Sequence, residues 1–209
     1  MVKYSIAYKD ESFLMKIINI ILFFNKDFMT QFTTTIGSTI YFPSRKWVDV
    51  RPLSSKVILL HELIHISDAE KYSKILFGIL YLSPAILSLF AIPLMVFHWW
   101  LGLIWLILCL SPVPAYFRMK FELKAYTFSI YALYQLNKKN NYNIKFEQQI
   151  QFFTDQFTSS AYYYMWPFGN SIKNHLNAAY SRFQIGDRPF YEPEYYDMID
   201  YLIQNNIKV

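Results

Sequence analysis

Residues 75–117 contain no Lys, Arg, Asp or Glu. An uncharged run of 43 residues limits the folds open to a chain, because its apolar side chains must leave water for a protein core or for lipid. It is long enough for two membrane spans of about 20 residues each. His98, Trp99 and Trp100 fall at its midpoint, where a hairpin would turn, and tryptophan favours the membrane–water interface. Lys71 and Lys74 precede the run, and Arg118, Lys120 and Lys124 follow it. Cations at both ends predict that both ends lie on the cytoplasmic side. The alternative is a buried helical pair in a soluble cytoplasmic protein. Pro84, Pro93, Pro112 and Pro114 leave room for it, although proline is also tolerated in spans.

Composition leans towards the membrane reading. Hydrophobic residues make up 54% and charged residues 17%, against about 45–50% and about 25% in soluble domains. The net charge of +5 is scattered, with no basic stripe interleaved with aromatics, which argues against nucleic-acid binding. Attraction to anionic membrane lipid accounts for it as well. The single cysteine, Cys109, excludes an internal disulfide and a cysteine-based zinc site. The opening MVKYSIAYKD carries no secretory signal.

Along the chain, residues 12–24 read as a short buried or interfacial helix. Residues 29–42, MTQFTTTIGSTIYF, read as a hairpin, or as one strand bulged at Gly37. Ser54 and Ser55 are candidate N-caps for a helix over residues 56–71. Further helices are predicted over 117–137 and near 146–158, 171–182 and 193–204. The expected fold is mainly α with a small β-sheet, an α+β chain of one domain over residues 1–209. An apolar helical hairpin, residues 75–117, is inserted in it.

The helix over 56–71 contains HELIH, residues 61–65. Residues four apart share one helix face, so His61 and His65 can direct two imidazoles at one ion. Glu62 is displaced by about 100° around the axis and can reach a water on that ion without ligating it. This is the physical content of the H-E-x-x-H pattern. With four His and seven Glu, chance would give the pattern on the order of once in four hundred such chains. The competing reading is a core helix with two satisfied histidines.

A catalytic zinc site needs three protein ligands and one open position. Asp68 and Glu70 are near, but one helix does not easily wrap three ligands around an ion. Asp68 therefore suits a supporting role, orienting His65 or capping the helix, or is simply a solvated carboxylate. Beyond the apolar run, RMKFELKAY (residues 118–126) offers Glu122, which could otherwise pair with Arg118 at i,i+4.

HELIH followed at a distance by Glu122 and Ala125 resembles the HExxH…ExxA pattern of the gluzincin metallopeptidases. Integral-membrane members also place a membrane hairpin between the two motifs. Small peptidases of tailed phages are similar in another way, with a strand like TTTIGSTIYFP, then HELIH, then E-x-x-A-Y. The resemblance covers roughly residues 33–130. It implies a zincin-like fold, Zn2+ held by His61, His65 and Glu122, and Glu62 as general base. It also implies peptide-bond hydrolysis by a zinc-activated water. One departure stands out: many gluzincins carry an aspartate four residues after the glutamate, bonded to a ligand histidine, and this chain has Tyr126 there. The Tyr126 hydroxyl could make the same bond. In zincins the strand before the active helix is an edge that pairs with extended substrate, here Ser38, Thr39, Ile40, Tyr41 and Phe42.

Hydrolysis passes through an oxyanion that a second donor usually stabilises. Tyr163, within the run Tyr162–Tyr163–Tyr164, is the candidate; Tyr126 and His175 are others. The expected activity is therefore a zinc-dependent endopeptidase acting on a peptide or protein substrate at a membrane surface. Two other classes stay open: a zincin-fold binding protein without hydrolysis, and a small membrane-hairpin protein in which HELIH is incidental.

Overall fold

The computed structural model of the chain describes residues 3–23, 25–110, 114–159, 164–188, 190–207 and 209. It is mainly helical with one small sheet. Strand β1 (Ser5–Tyr8) leads into helix α1 (Phe13–Ile21), capped by Ser12, whose Oγ accepts from the Met15 amide at 3.3 Å. Strands β2 (Thr34–Ile36) and β3 (Thr39–Phe42) follow. They pair antiparallel across Gly37 and Ser38. Gly37 has φ +64°, a conformation that glycine adopts without steric cost. Of the two readings of this stretch, the hairpin is the one formed.

The sheet order is β1-β3-β2, with β1 parallel to β3 in the register Ser5↔Thr39 to Tyr8↔Phe42. This corrects the expectation for Ser38–Phe42. That strand is central, not an edge, because the opening SIAY pairs along its other side. Ile40 and Phe42 are fully buried beneath it. The outer strand on the side of His61 and Glu62 is β2.

Short helix α2 (Arg45–Asp49) leads to α3 (Pro52–Tyr72). Pro52 at the first helical position suits the helix start, where its missing N–H is not needed. Ser54 and Ser55 therefore lie inside the first turn rather than at the cap. Helix α3 buries Leu59, Leu60, Leu63 and Ile64 at 0–1% exposure, each worth about 1.5–3 kcal/mol of transfer free energy. Its main packing partner is the long helix that begins at Tyr116.

Between them, the apolar run breaks into α4 (Lys74–Leu82), a 3-10 helix (Ala85–Phe90), α5 (Ala91–Phe97) and α6 (Trp99–Leu110). The chain reverses at His98, as predicted, and α5 packs on α6. A Cβ on Gly102 would stand 2.2 Å from Met95 Cγ and 2.7 Å from the Ala91 carbonyl oxygen, so only glycine permits this approach. Among the described residues, neither half of the expected hairpin is one continuous helix. Helix α4 and the 3-10/α5 arm are bent by 85°. The 12 residues of α6 extend about 18 Å, short of the roughly 30 Å hydrocarbon thickness. Among the described residues no single helix is long and apolar enough to cross a membrane.

Helices α7 (Tyr116–Asn140), α8 (Phe146–Thr158), α9 (Gly169–Gln184) and α10 (Pro193–Gln204) complete the fold. Aromatic residues fill the space between them: Phe128 meets Tyr195 and Tyr196, and Tyr131 meets Phe183. The main core draws on β3, α2, α3 and the helices from α7 onward. Among the described residues, none of its buried members comes from α4, α5 or α6.

Candidate metal centre

Helices α3 and α7 cross, and their facing sides bring His61, His65 and Glu122 together; all three are buried. Nε2 of His61 and Nε2 of His65 are 3.2 Å apart. His61 Nε2 lies 3.4 Å from Glu122 Oε2, and His65 Nε2 lies 3.6 Å from Glu122 Oε1. Ligands about 2.0–2.1 Å from a tetrahedral ion stand about 3.3–3.4 Å from one another. His61 Nε2 stands close to that spacing from His65 Nε2 and from Glu122 Oε2, while the 3.6 Å approach of His65 Nε2 is to the other carboxylate oxygen, Oε1.

The hydrogen bonds agree with that use. Ser129 Oγ donates to the Ala125 carbonyl at 3.0 Å and lies 3.2 Å from His61 Nδ1. Its one proton is spent on the carbonyl, so the hydroxyl accepts from His61 Nδ1–H. That fixes the tautomer and leaves the Nε2 lone pair directed at the other ligands. Glu122 Oε2 is buried with no hydrogen-bond partner among the described residues, a costly state for a carboxylate oxygen unless a cation takes it. This donor set could hold a metal ion.

Charge is balanced inside the cluster. Burial pushes the Glu122 carboxyl up, but the two histidines outweigh burial and hold it well below the usual carboxylate range. Burial likewise opposes a charge on His65, and the adjacent Glu122 carboxylate overcomes it, so the imidazole is raised above its ordinary value.

Glu62 lies outside the ligand set. It is partly exposed, and its Oε2 accepts from Thr35 Oγ1 at 2.8 Å. The base candidate is thus tied to β2, the outer strand. Two cavities meet at His61 and Glu62. One, of about 580 Å³, is lined by Thr35, Ile36, His65, Tyr81, Arg118 and Glu122 among others. The other, of about 730 Å³, is lined by Phe32, Trp47, Leu53, Tyr126, Phe152 and Phe153 among others.

The other predicted residues are placed differently from expectation. Asp68 is neither solvated nor bonded to His65. It is fully buried, and its Oδ1 accepts from Lys124 Nζ and from Tyr195 Oη, each at 2.7 Å. Asp68 Oδ2 and His65 Nδ1 have no hydrogen-bond partner among the described residues. A lysine and a tyrosine reaching in from α7 and α10 hold the carboxylate instead. Tyr126 supports His61 through its ring, edge-on at 4.6 Å between centroids. The histidine's hydrogen bond comes from Ser129, one turn further along. Glu70 is exposed. His175 packs on Phe190 and lines neither cavity. Tyr163, the oxyanion candidate, lies outside the described residues.

Three contributors are missed by the sequence reading: Ser129, Thr35 and Tyr81. Ser129 alone has a periodic hint, two turns beyond Glu122 on the same face of α7. Tyr81 reaches the site from the apolar run. Its hydroxyl donates to Glu122 Oε1, and its ring stands edge-on to His65 at 5.7 Å.

Comparison with protein-family models, with curated proteins and with solved structures finds no match to this chain.

Proposed function

We propose that this chain is a zinc-dependent endopeptidase of gluzincin type that works at a membrane surface. One observation carries the reading: His61, His65 and Glu122 are buried together with one possible ligand atom from each within 4.8 Å of the others, and a second carboxylate, Glu62, faces the same cavity from outside that group. A zinc ion held there would polarise the scissile carbonyl and acidify an attacking water. Glu62 takes the proton from that water and passes it to the departing amine. Thr35 holds Oε2 of the carboxylate, which leaves Oε1 for the proton. An extended peptide laid along the outer strand β2 would run past Glu62, since Thr35 belongs to that strand. Such pairing reads backbone rather than side chains.

The membrane part of the proposal rests on the segment from α4 to α6. It exposes Ile75, Val96 and Phe97 at 78–79% and Trp99 at 70%, with no charged residue from Ile75 onward to solvate them. Exposed apolar surface of that extent marks an interaction site. Lys74 and Lys120 are exposed at its base, suited to anionic headgroups. Lipid vesicles containing anionic phospholipid are expected to float the wild-type chain in a density gradient. A monodisperse, detergent-free preparation that binds no vesicles would remove the membrane part.

The peptidase part is tested by Glu62→Gln assayed on a peptide library. The variant should keep its zinc and lose at least about a hundredfold in hydrolysis. Retained hydrolysis would rule the mechanism out. Zinc in the wild type with no turnover on any peptide would favour the binding-protein class.

A further inference from the structure

The two oxygens of Glu122 differ in what they meet. Oε2 faces His61 Nε2 at 3.4 Å and has no hydrogen-bond partner among the described residues. Oε1 accepts the hydroxyl of Tyr81. A cation entering the cluster finds Oε2 available and Oε1 already engaged.

Tyr81 is held there by the way the apolar segment starts. Helix α3 ends at Ser73, whose φ of 71° lies in the left-handed region that ordinary residues seldom adopt. The same residue caps the next helix, its Oγ accepting from the Leu76 amide at 3.3 Å. The reversal lays one face of α4 against α3 and α7. Phe77 and Tyr81, one turn apart, stack at 5.6 Å with 27° between planes. Phe77 also meets Phe121 at 4.7 Å and His65 at 6.2 Å. The remaining faces of α4 expose Ile75, Leu76, Ile79 and Leu82. The one polar group that α4 directs inward therefore ends on a metal ligand.

We propose that Tyr81 is a positioning residue of the metal centre: its hydroxyl occupies Glu122 Oε1 and restricts the carboxylate to one donor atom, Oε2. This rests on the metal reading of the site. It makes the apolar segment part of the centre and not merely an appended anchor. A carboxylate free to bind through both oxygens would fill the position that a water or substrate needs. A carboxylate held by a phenol leaves that position open.

The test is zinc affinity, measured by competition with a chelator on the full chain in detergent, together with the visible spectrum of the cobalt-substituted protein. Tyr81→Phe keeps the ring against Phe77 and His65 and removes only the hydroxyl. It should bind zinc about 10–100-fold more weakly. Its cobalt band should lose intensity as the ion moves from four ligands towards five. Tyr72→Phe, whose ring also lies on Phe121 but away from the ligands, should match the wild type. Wild-type affinity together with a wild-type cobalt spectrum in Tyr81→Phe would overturn the role of Tyr81 alone. Absence of zinc from the wild-type chain would overturn it together with the metal reading. Should Tyr81→Phe fail to fold, Phe77→Leu keeps the hydroxyl but removes the ring that steadies it. Weaker zinc binding in that folded variant supports the proposal, and unchanged binding overturns it.

Discussion

Lys124 Nζ donates to Asp68 Oδ1 at 2.7 Å, and both side chains are buried, at 11% and 0% exposure. Asp68 lies one turn beyond His65 on α3, and Lys124 lies two residues beyond Glu122 on α7. The pair therefore pins together the two helices that carry His61, His65 and Glu122. Tyr195 adds a third partner from α10, donating to the same oxygen at 2.7 Å. Burial and the adjacent carboxylate push its phenol above the ordinary range.

Asp68→Ala leaves the Lys124 ammonium buried without its close partner. Breaking such a pair costs about 3–5 kcal/mol. The lower end applies here, because Glu192 Oε2 remains 3.8 Å from Lys124. Thermal or denaturant unfolding of the metal-free protein measures it. A change below about 1 kcal/mol, the range of an exposed pair, would contradict the assignment of the pair to the core.

Ser129→Ala removes the acceptor for His61 Nδ1–H. The imidazole keeps its place, since Tyr126 still packs on it edge-on, but its tautomer is no longer fixed. Zinc affinity should fall about tenfold or more while the fold is retained. Chelator competition reads the difference. Affinity equal to wild type would show that the 3.2 Å contact does not tune the ligand.

Acid should weaken zinc binding. A metal needs His65 deprotonated, and the metal-free site favours its protonated form because Glu122 stands beside it. The histidine titrates above its usual value of about 6.5. Zinc affinity should therefore begin to fall above that pH and lose about tenfold per unit further down. In the metal-free chain the sign reverses. The raised imidazole adds stability that is full below the unfolded-state value and is lost as pH rises through the folded-state value. Zinc titrations and metal-free melts across about pH 6–9 check both. Zinc affinity that stays flat across that window would exclude His65 as a ligand.

Much of the site can be read from the chain because it is carried by helices. HELIH lies on one helix, so its spacing converts directly into a shared face. Glu122 is a candidate from its place beyond the apolar run and is singled out only by adding a resemblance, since nothing local says that α7 crosses α3 there. The role of Ser38–Phe42 could not be read for a similar reason. Its neighbour is Ser5–Tyr8, a parallel strand far away in sequence, and a four-residue segment such as SIAY carries too little pattern to announce itself. The apolar run shows its hairpin turn at His98 but not its breaks, which depend on how α4 folds back over the ligands. The expectations for Asp68, orienting His65, capping the helix or standing in solvent, miss its partners Lys124 and Tyr195 because these come from two distant helices. Tyr81 is hidden in a segment whose composition speaks only of lipid or core.

The central claim is that Glu122 completes a three-ligand metal site with His61 and His65. Zinc content per chain, measured on wild type and Glu122→Ala purified in parallel in detergent, tests it most directly. About one zinc per wild-type chain and a marked loss in the variant is the predicted result. Equal zinc in both would remove Glu122 from the site, and no zinc in either would contradict the metal centre itself.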